Sequence, residues 1–570
     1  MKRLPRIAVP AAILLAGACD DASRPLLEHA TCGAELTLLC GEPGVKDTIL
    51  DVNGNGLALF DVDLDGDLDL LLVDGSTRAR MAAGRTVTHL LLINTGVRDG
   101  APRFELAGPE HDLRMNGWPT GVAVGDVDRD GRPDLLIGGV GEDALFLNRT
   151  PPGGPVSFQR RELPGRASPR DWTSSVALAD ADGDGDLDAC LGRYLDIDPA
   201  RPPLGQVGDL PCVWRGHPVM CGPHGLPPLP TVLLLGDGKG GFTDASLSSG
   251  VRAAPASFTL GVLFADLDDD GHPDLYFAND SMPNTLLHNR GDGTFEDRTS
   301  LSGASTDYAG RPQAGMGVDL GDYDRDGDQD LVVTNFSDES IALYRCDGGL
   351  LYREVSAAAG IAEASRPTLG WGVHLADFDS DGWLDLYASN GHVYVQADEP
   401  GTGTSYRQRQ HLFRGGPGGR FGPDGFPDAG AWAGRGSARG DLDDDGDLDL
   451  VTLTMDGAPR VYLNRTDAPE RQLLVTLEDP AGTAIGATLK LRLGDGPRVQ
   501  QVLSARGFQS SSDVRLHIAG SGPILSAEVR WNGGAGQQLD PAALAFGQRV
   551  VVRRGVGVVS RQPLAGPTEP

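Results

Sequence analysis

A nine-residue acidic pattern, D-x-D-x-D-G-x-x-D, occurs seven times in this chain and constrains its fold more than any other feature. We call these nine-residue segments the acidic loops. They begin at Asp61, Asp126, Asp180, Asp266, Asp322, Asp377 and Asp441. Successive starts are 65, 54, 86, 56, 55 and 64 residues apart. A repeat of this length is typical of β-propeller blades or of other repeat arrays.

Strand patterns flank the acidic loops on both sides. Apolar or alternating stretches precede and follow them, such as Gly121–Gly125 and Leu70–Val73, so each loop is predicted to be the turn of a hairpin. A third strand pattern follows, as in Ala144–Asn148, and a Gly-rich turn leads to a fourth. The fourth pattern has an aromatic residue near its start, at Phe104, Phe158, Phe242, Phe295, Tyr352 and Phe421. Four strands per unit predict an all-β chain that contains a seven-bladed β-propeller.

The chemistry of the acidic loops indicates Ca²⁺, which prefers six to eight oxygen ligands. Positions one, three, five and nine supply carboxylates, glycine at position six permits the turn, and position seven offers a carbonyl oxygen. No Glu stands at the twelfth position that an EF-hand needs, and no loop offers the Cys and His set of a zinc site. Turns without metal would explain one loop, but not seven with matched carboxylates. We therefore predict about seven structural Ca²⁺ sites.

The predicted metal-binding residues are Asp61, Asp63, Asp65, Asp67, Asp69, Asp126, Asp128, Asp130, Arg132, Asp134, Asp180, Asp182, Asp184, Asp186, Asp188, Asp266, Asp268, Asp270, His272, Asp274, Asp322, Asp324, Asp326, Asp328, Asp330, Asp377, Asp379, Asp381, Trp383, Asp385, Asp441, Asp443, Asp445, Asp447 and Asp449. The position-seven residues share no side-chain chemistry, as expected if only their carbonyl oxygens bind the metal.

The repeat also predicts the domain organisation. Counting back from Asp61 by the usual interval places the outer strand of the last blade near Leu36, which would seal the ring. The propeller is predicted to span residues 35–468, after a linker at 20–34 and before a small β domain at 469–558 and a disordered tail at 559–570. Insertions interrupt the repeat at about 192–230 and 390–410. The first is favoured for binding, because two cysteines are expected to staple it.

The N-terminal segment Met1–Cys19 resembles an export signal, with basic residues followed by an apolar run too short to span a bilayer. It ends in a sequence similar to a bacterial lipoprotein box, which predicts lipidation of Cys19. An ordinary cleaved signal is the alternative, because Ala16 stands where such boxes usually have Leu. Either reading predicts an exported protein of the cell envelope or the extracellular space.

Six cysteines remain after Cys19, an even number that suits an oxidising compartment. Two pairs are close enough in sequence for local disulfides, and these pairs are Cys32 with Cys40 and Cys212 with Cys221. Cys190 and Cys346 are left either to pair at long range or to stay free.

The charge balance narrows the class of partner. The chain has 80 acidic and 49 basic residues, a formal net charge of −31. Such a field repels nucleic acid and anionic lipid, so we expect neither as a partner, apart from membrane contact through a lipid anchor. The predicted ligand is a protein or a glycan, and the chain is expected to be monomeric.

At the acidic loops the chain resembles the FG-GAP/VCBS repeat family over roughly residues 35–465. The segments Arg506–Asp513 and Val529–Gly534 resemble the ASPIC/UnbV domain, which accompanies such repeats in bacterial secreted proteins. Phe508 and Asn532 stand where that family usually has Tyr and Pro. The resemblance implies a calcium-binding propeller with a small C-terminal β domain. It says little about function, because such propellers serve adhesion, recognition and sometimes catalysis.

Five aromatic residues form a candidate ligand site, because each precedes the first Asp of an acidic loop by six to nine residues. They are Trp118, Trp172, Phe258, Trp371 and Trp432. Equivalent positions should gather near one end of a central channel, where stacked aromatic rings suit sugars or peptides. Packing between blades is the alternative for each one.

These observations predict a noncatalytic recognition or adhesion module at the bacterial cell envelope. The alternative is a calcium-dependent propeller enzyme, a lyase or hydrolase acting on polysaccharide. The loop carboxylates are committed to metal in this reading, and the histidines form no recognised catalytic set. No catalytic residue is therefore predicted.

Overall fold

The computed structural model describes residues 27–30, 38, 40–42 and 44–564, except residues 99, 152, 424, 456, 467, 481–483 and 535. Strands form most of its regular structure, which confirms that the chain is all-β. The helices among the described residues are α1 (Arg78–Ala82), α2 (Thr299–Ser302), α3 (Ser356–Ala359) and α4 (Ala362–Ser365). Short 3₁₀ turns occur at Ile49–Asp51, Pro109–His111, Val251–Ala253, Val395–Asp398, Pro469–Arg471 and Pro541–Ala543.

The first half of the chain forms three antiparallel sheets after a separate strand, β1 (Leu27–Ala30), and one residue pair, Trp172 with Val140, joins the second sheet to the third. The first sheet contains β2 (Leu57–Phe60), β3 (Asp69–Leu72), β5 (Leu90–Arg98) and β6 (Ala101–Leu106), beside a small ladder of β4 (Val87–Thr88) and β7 (Arg114–Met115). The second contains β8 (Trp118–Gly125), β9 (Asp134–Val140), β10 (Ala144–Asn148) and β11 (Phe158–Glu162). The third begins with β12 (Asp171–Ala179) and β13 (Asp188–Asp196).

The first predicted insertion interrupts the third sheet with two small hairpins. These are β14 (Gln206–Val207) with β15 (Leu210–Pro211), and β16 (Val213–Trp214) with β17 (His217–Pro218). The predicted Cys212–Cys221 disulfide is confirmed and joins the ends of the second hairpin. The third sheet is then completed by β18 (Val232–Gly236) and β19 (Phe242–Asp244).

Four more sheets follow along the chain. The fourth contains β20 (Thr259–Ala265), β21 (Asp274–Asn279), β22 (Thr285–Asn289) and β23 (Phe295–Asp297), and the fifth contains β24 (Val318–Gly321), β25 (Asp330–Val333), β26 (Ala342–Cys346) and β27 (Tyr352–Glu354). The sixth contains β28 (Gly370–Ala376), β29 (Asp385–Asn390) and β30 (His411–Phe413), and the seventh contains β31 (Gly434–Gly440), β32 (Asp449–Thr454) and β33 (Arg460–Asn464). An acidic loop joins the first two strands of every one of these sheets.

The first strands of the sheets form a closed sequence of contacts. Each packs against the first strand of the next sheet, in the order β2, β8, β12, β20, β24, β28 and β31, and β31 packs against β2. Apolar side chains fill the spaces between adjacent sheets, as in the cluster that joins the first sheet to the second. The result is a propeller-like arrangement in which the first strands lie innermost.

The N-terminal strand β1 completes the seventh sheet by pairing antiparallel with β33. The sequence predicted this outer strand near Leu36, whereas the structure forms it at Leu27–Ala30, within the segment predicted as linker. Residues 31–37 lie outside the described part of the chain. The prediction of its position was wrong because it rested on a fixed interval, and the chain between this strand and the first acidic loop is longer than that interval.

The sixth sheet departs from the four-strand prediction. No strand forms at Phe421 in the described residues, and its ring stacks on Tyr323 with centroids 5.8 Å apart. Two consecutive glycines with positive φ, Gly418 and Gly419, turn the preceding backbone away from extended geometry. Phe421 therefore packs as an aromatic residue, although the fourth strand predicted around it does not form.

Glycines in the inner strands allow adjacent sheets to approach each other closely. A Cβ atom at Gly121 would lie 2.6 Å from the carbonyl oxygen of Ser174, and one at Gly317 would lie 2.1 Å from that of Trp371. Six such glycines stand five residues before an acidic loop, at Gly56, Gly121, Gly261, Gly317, Gly372 and Gly436. The third sheet has Ser175 at this position. The repeat therefore extends into the strands.

The C-terminal domain consists of two four-stranded sheets. One contains β34 (Gln472–Glu478), β37 (Leu516–Ala519), β40 (Gln548–Arg553) and β41 (Gly557–Pro563), and the other contains β35 (Thr488–Leu493), β36 (Gly496–Gln501), β38 (Ser526–Arg530) and β39 (Gly536–Leu539). Strand β41 contradicts the prediction that residues 559–570 form a disordered tail, because the residues to Pro563 pair with β40. Residues 565–570 lie outside the described part.

We predict that Gly121→Ala lowers the free energy of unfolding by about 1–3 kcal/mol, because the added methyl group would overlap a backbone carbonyl that cannot move alone. Gly494→Ala is the matched control, since a Cβ there meets nothing within 4 Å. Urea denaturation of both variants measures the difference. Equal stability of the two variants would contradict the close approach of the inner strands.

Candidate functional site

The acidic loops share one hydrogen-bonding scheme, which the first loop illustrates. The carboxylate of Asp61 accepts hydrogen bonds from the backbone N–H groups of Asp65 (3.1 Å) and Gly66 (2.9 Å), which curl the loop. The buried carboxylate of Asp69 accepts from the N–H of Val62 and from that of Asn94, both at 2.8 Å. One aspartate therefore shapes the turn, and the last one ties the turn to the third strand.

Asparagines at the ends of third strands extend these contacts to the neighbouring sheet. The side-chain amide of Asn148 donates to the carbonyl of Val62 in the preceding acidic loop at 2.8 Å, and that of Asn289 donates to Ala181 at 2.8 Å. Asn94 and Asn464 make the corresponding contacts to Leu442 and Phe378. The third strands were predicted from the sequence, but no role was predicted for these asparagines. Their recurrence at the ends of third strands could have indicated a contact between sheets.

Carboxylate oxygens converge inside the acidic loops. In the first loop, oxygens of Asp61, Asp63 and Asp69 all lie within 4.8 Å of one another, and equivalent groups occur in other loops. At position three, one buried carboxylate oxygen has no hydrogen-bond donor in several loops. The residues concerned are Asp63, Asp128, Asp268 and Asp443. A buried, unsatisfied carboxylate oxygen is costly, and a cation would satisfy it.

The pKa values of the loop carboxyls show the electrostatic cost of this arrangement. Burial raises the pKa of Asp69, Asp134 and Asp188 to about 8, and nearby loop carboxylates add to the effect. The acidic loops themselves contribute carboxylate oxygens, and His288 adds a ring nitrogen beside Asp268 and Asp274 in the fourth loop. Hard oxygen donors suit Ca²⁺ better than a soft metal. The predicted ligands are therefore placed together, and both metal binding and the identity of the ion stay predictions.

The fourth residue of each acidic loop has positive φ. Three of these residues form ion pairs with the C-terminal domain. Asp269 contacts Lys490 and lies 3.2 Å from Arg530, and Arg325 lies 3.2 Å from Asp495. The third is Asp444, which contacts Arg549. The C-terminal domain therefore covers the face of the ring that carries the acidic loops.

One segment of the C-terminal domain enters the centre of the ring. We call residues 504–513 the central segment. Its Ser511 exchanges backbone hydrogen bonds with β2, and the carbonyl of Gln509 accepts from Val122 in β8 at 3.0 Å. Gly507 pairs with Val318 of β24 in both directions, at 2.8 and 3.0 Å. Ser504 bonds the backbone of Leu178 in β12. Four inner strands are thus joined by one segment.

The central segment reaches the predicted aromatic site. Phe508 is fully buried, and its ring meets Trp371 edge-on with centroids 4.8 Å apart. Four of the five predicted ligand-binding aromatics share one buried cluster with Phe508, and they are Trp118, Trp172, Phe258 and Trp371. The fifth, Trp432, lies in a different cluster, where it stacks on Tyr462. Most of these rings therefore serve packing between sheets.

A cavity of about 420 Å³ opens at the end of the ring opposite the acidic loops. We call it the mouth cavity. Its aromatic walls are Tyr194, Trp214, Phe336, Trp371 and Tyr394. Of the five predicted aromatics, Trp371 lines it. The hairpin bearing the Cys212–Cys221 disulfide forms one side, so the insertion favoured for binding does border a cavity.

Two carboxyl groups line the mouth cavity. Asp280 accepts hydrogen bonds from the Tyr194 hydroxyl (2.6 Å) and the Ser281 hydroxyl (2.8 Å). Glu339 accepts from the backbone N–H groups of Ala314 (2.9 Å) and Phe336 (3.3 Å). Burial raises the pKa of Glu339 to about 7, and the charge of Asp280 contributes. Burial also raises the pKa of Asp280.

Asn53 also lines the mouth cavity. Its side chain is 3% exposed, and its amide nitrogen has no hydrogen-bond partner among the described residues. Sequence reasoning missed Asn53, Asp280 and Glu339, because they lie in connections of different sheets and belong to no local motif. Their proximity exists only in the folded ring.

The remaining predicted cysteine and anchor sites divide as follows. Cys190 and Cys346 are buried and unpaired, which resolves the alternative left open by the sequence. Cys19 and Cys32 lie outside the described residues, so lipidation of Cys19 stays a prediction. Cys40 is unpaired in the structure, so its predicted disulfide with Cys32 is not formed there. In the structure, the Cys40 thiol lies 3.4 Å from the Leu50 carbonyl oxygen.

Family models match both parts of the chain. An FG-GAP-like repeat model matches residues 61–137, 266–333 and 322–388, and an ASPIC and UnbV model matches residues 478–558. Cartilage acidic protein 1 of Xenopus tropicalis is 27% identical over 434 residues, which cover 71% of this chain and 59% of that protein. The human protein is 25% identical over 413 residues, covering 70% and 55%. The chain thus spans somewhat over half the length of these relatives.

Two solved lectin structures share a distant likeness in shape. A lectin of Agrocybe aegerita that recognises non-reducing terminal N-acetylglucosamine has a TM-score of 0.37 and 15% identity, covering 66% of this chain and 88% of its own. The BP39L lectin of Burkholderia pseudomallei has a TM-score of 0.43 and 9% identity, covering 72% and 96%. Likenesses at this level do not bear on function.

We predict that Phe508→Ala lowers the free energy of unfolding by about 3–5 kcal/mol, because it removes a buried ring at the centre of the inner cluster. Leu301→Ala is the control, since its side chain is 64% exposed. Thermal and urea unfolding measure both variants. A loss below about 1 kcal/mol for the Phe508 variant would show that the central segment is not held in the ring.

Proposed function

Because this chain combines FG-GAP-like repeats with an ASPIC and UnbV domain, we propose that it is a calcium-binding, seven-bladed β-propeller that acts as a noncatalytic recognition module. Its ligand is a protein or a glycan, and its place is the bacterial cell envelope or the extracellular space. The observation that carries this proposal is the mouth cavity, an aromatic-walled recess with a few convergent polar groups.

The seven successive sheets support the proposed blade number. Their first strands contact one another in a closed order, and the N-terminal strand β1 joins the final sheet beside β33. Sealing a ring with strands from both ends of the chain removes an exposed sheet edge at the junction. The central segment also stabilises the closed ring, because it forms hydrogen bonds to inner strands of four sheets.

The acidic loops support the proposal of about seven Ca²⁺ sites. When bound, Ca²⁺ supplies positive charge to the converging carboxylates of each loop. The chain holds these oxygens in place through hydrogen bonds. In the first loop, the carboxylates of Asp61 and Asp69 accept hydrogen bonds from backbone N–H groups. The loops lie on the face covered by the C-terminal domain, so the proposed role of the metal is structural.

Export is proposed from the N-terminal signal pattern and from the cysteines. The disulfide between Cys212 and Cys221, which are nine positions apart in the sequence, suits an oxidising compartment. No helix within the described residues has the length and apolar character needed to cross a bilayer. A lipid anchor at Cys19 is part of the proposal.

A catalytic role has one observation in its favour. The carboxyl groups of Asp280 and Glu339 share the mouth cavity, and both have raised pKa values because of burial. Glycosidases use paired carboxyls in this way. However, Asp280 is bonded to two hydroxyl groups and Glu339 to two backbone N–H groups, which holds both as fixed acceptors. We therefore place recognition ahead of polysaccharide cleavage.

We predict that a calcium chelator lowers the melting temperature by on the order of 10 °C or more, because ions that bind only the folded chain stabilise it. Scanning calorimetry measures the change, and added Ca²⁺ should restore it. In calcium buffer, Asp128→Asn should also lower the melting temperature, whereas the exposed Asp209→Asn should not. An unchanged curve after chelation would refute the metal sites.

We predict that glycan-array or peptide-array screening finds a ligand whose binding is lost in Trp371→Ala, because Trp371 lines the mouth cavity. Trp118→Ala is the comparison, since Trp118 belongs to the same buried cluster but does not line the cavity. Both variants must first show a cooperative melting transition. Cleavage of a bound polysaccharide, detected by new reducing ends, would favour the enzyme instead.

A further inference from the structure

The mouth cavity has an apolar side and an acidic side. Leu260, Met316 and Val393 contribute aliphatic surface, and aromatic rings continue it. Asp280 and Glu339 supply the acidic groups. This combination differs from a purely polar recess, because most of its surface cannot exchange hydrogen bonds with a ligand. A ligand that fits must therefore combine an apolar stem with a polar end.

The two carboxyl groups of the mouth cavity have no ion-pair partner among the described residues. Among the described residues, no lysine or arginine forms an ion pair with Asp280 or Glu339; their hydrogen-bond donors are the hydroxyl and backbone N–H groups described above. Buried carboxylates in proteins are normally paired with a cation, because burial without one is costly. His224 also lines the cavity and acts electrostatically on Asp280, but it forms no ion pair with either carboxyl group among the described residues, so that partner is left for a cationic ligand to supply.

The nearby arginines are committed elsewhere. Arg215 contacts Asp338 and lies over the ring of Trp214 with its guanidinium 5.0 Å from the centroid. Arg435 donates to the carbonyl of Val52 at 2.8 Å and lies 4.2 Å from the centroid of Trp371. These contacts show that cations already stack on two of the rings that line the cavity.

We propose that the mouth cavity binds the cationic side chain of a lysine or arginine presented by a protein partner. This inference rests on the proposed recognition function and names its ligand. The aliphatic stem would lie against Met316 and Leu260, and the charged group would meet Asp280 and Glu339. The free amide nitrogen of Asn53 would donate to a carbonyl oxygen of the partner. The chain's net charge of −31 would steer a basic partner toward it.

A neutral sugar matches this surface less well. Its hydroxyl groups need several donors and acceptors, and the cavity is mainly lined by aliphatic and aromatic carbon. An amino sugar shares the cation but lacks the aliphatic stem. Both are therefore outcomes of the test that would contradict the proposal.

The affinity of the mouth cavity for a cationic side chain should depend on pH. Burial and the charges of Asp280 and Asp307 raise the pKa of Glu339 to about 7, and His224 faces Asp280. Below pH 7 Glu339 is mainly protonated and lacks the charge that a cation needs. Above pH 7 it is ionised. Affinity should therefore rise about tenfold from pH 6 to pH 8, following the ionised fraction.

The test uses the full chain in calcium buffer and a blocked pentapeptide with one central arginine. Its partner probe carries citrulline, which has the same shape without charge. Calorimetric titration and tryptophan fluorescence measure binding at pH 6 and pH 8. The arginine peptide should bind at least tenfold more tightly than the citrulline peptide at pH 8. Glu339→Gln and Asp280→Asn should each reduce this preference, and the exposed Glu363→Gln should leave it unchanged.

Equal binding of the arginine and citrulline peptides would overturn the cationic ligand without any need for a variant. Tighter binding of glucosamine than of the arginine peptide would overturn the protein partner and indicate an amino sugar. If arrays find a Trp371-dependent neutral glycan while the peptides fail, the inference fails and the recognition function stands. If the peptides fail and no array ligand depends on Trp371, both fail. Melting curves of each variant confirm that it is folded.

Discussion

The acidic loops bring carboxylate oxygens to within 4.8 Å of one another, and this proximity of like charges is the constraint on which the rest of the molecule depends. The same aspartates curl the turn and fasten it to the third strand, so they cannot move apart without loss of the sheet. Burial raises their pKa values because no nearby group fully compensates the charge. A bound cation at each loop would relieve this cost and stabilise the hairpin.

The C-terminal domain contacts both the acidic-loop face and the inner strands of the ring. It covers the acidic-loop face through contacts to residues at position four of the loops, such as Asp269 and Asp444. From that face the central segment passes between the inner strands and places Phe508 against Trp371. The opposite face is left with the mouth cavity, whose floor includes that tryptophan. The acidic loops and the proposed ligand site thus lie at the two ends of one ring.

Features that repeat were predictable from the sequence, and features that the fold assembles once were not. The acidic loops, the strands beside them and the C-terminal domain followed from spacing and alternation. The inner-strand glycines, such as Gly121, repeat equally well and were overlooked. The mouth cavity had no such signal, because Asn53, Asp280 and Glu339 come from different connections. The packing partners of Phe508 could not be predicted for the same reason, since its motif does not indicate which residues its ring contacts.

Calcium stoichiometry tests the central claim most directly. Equilibrium dialysis of the folded chain, followed by elemental analysis of the retained calcium, gives the number of ions per chain. We expect about seven calcium ions per chain, one for each acidic loop. These ions should be retained in excess Mg²⁺, because the smaller ion demands stricter octahedral geometry. Retention of one ion or none by a fully folded chain would contradict it, because the converging carboxylates would then be tolerated without metal.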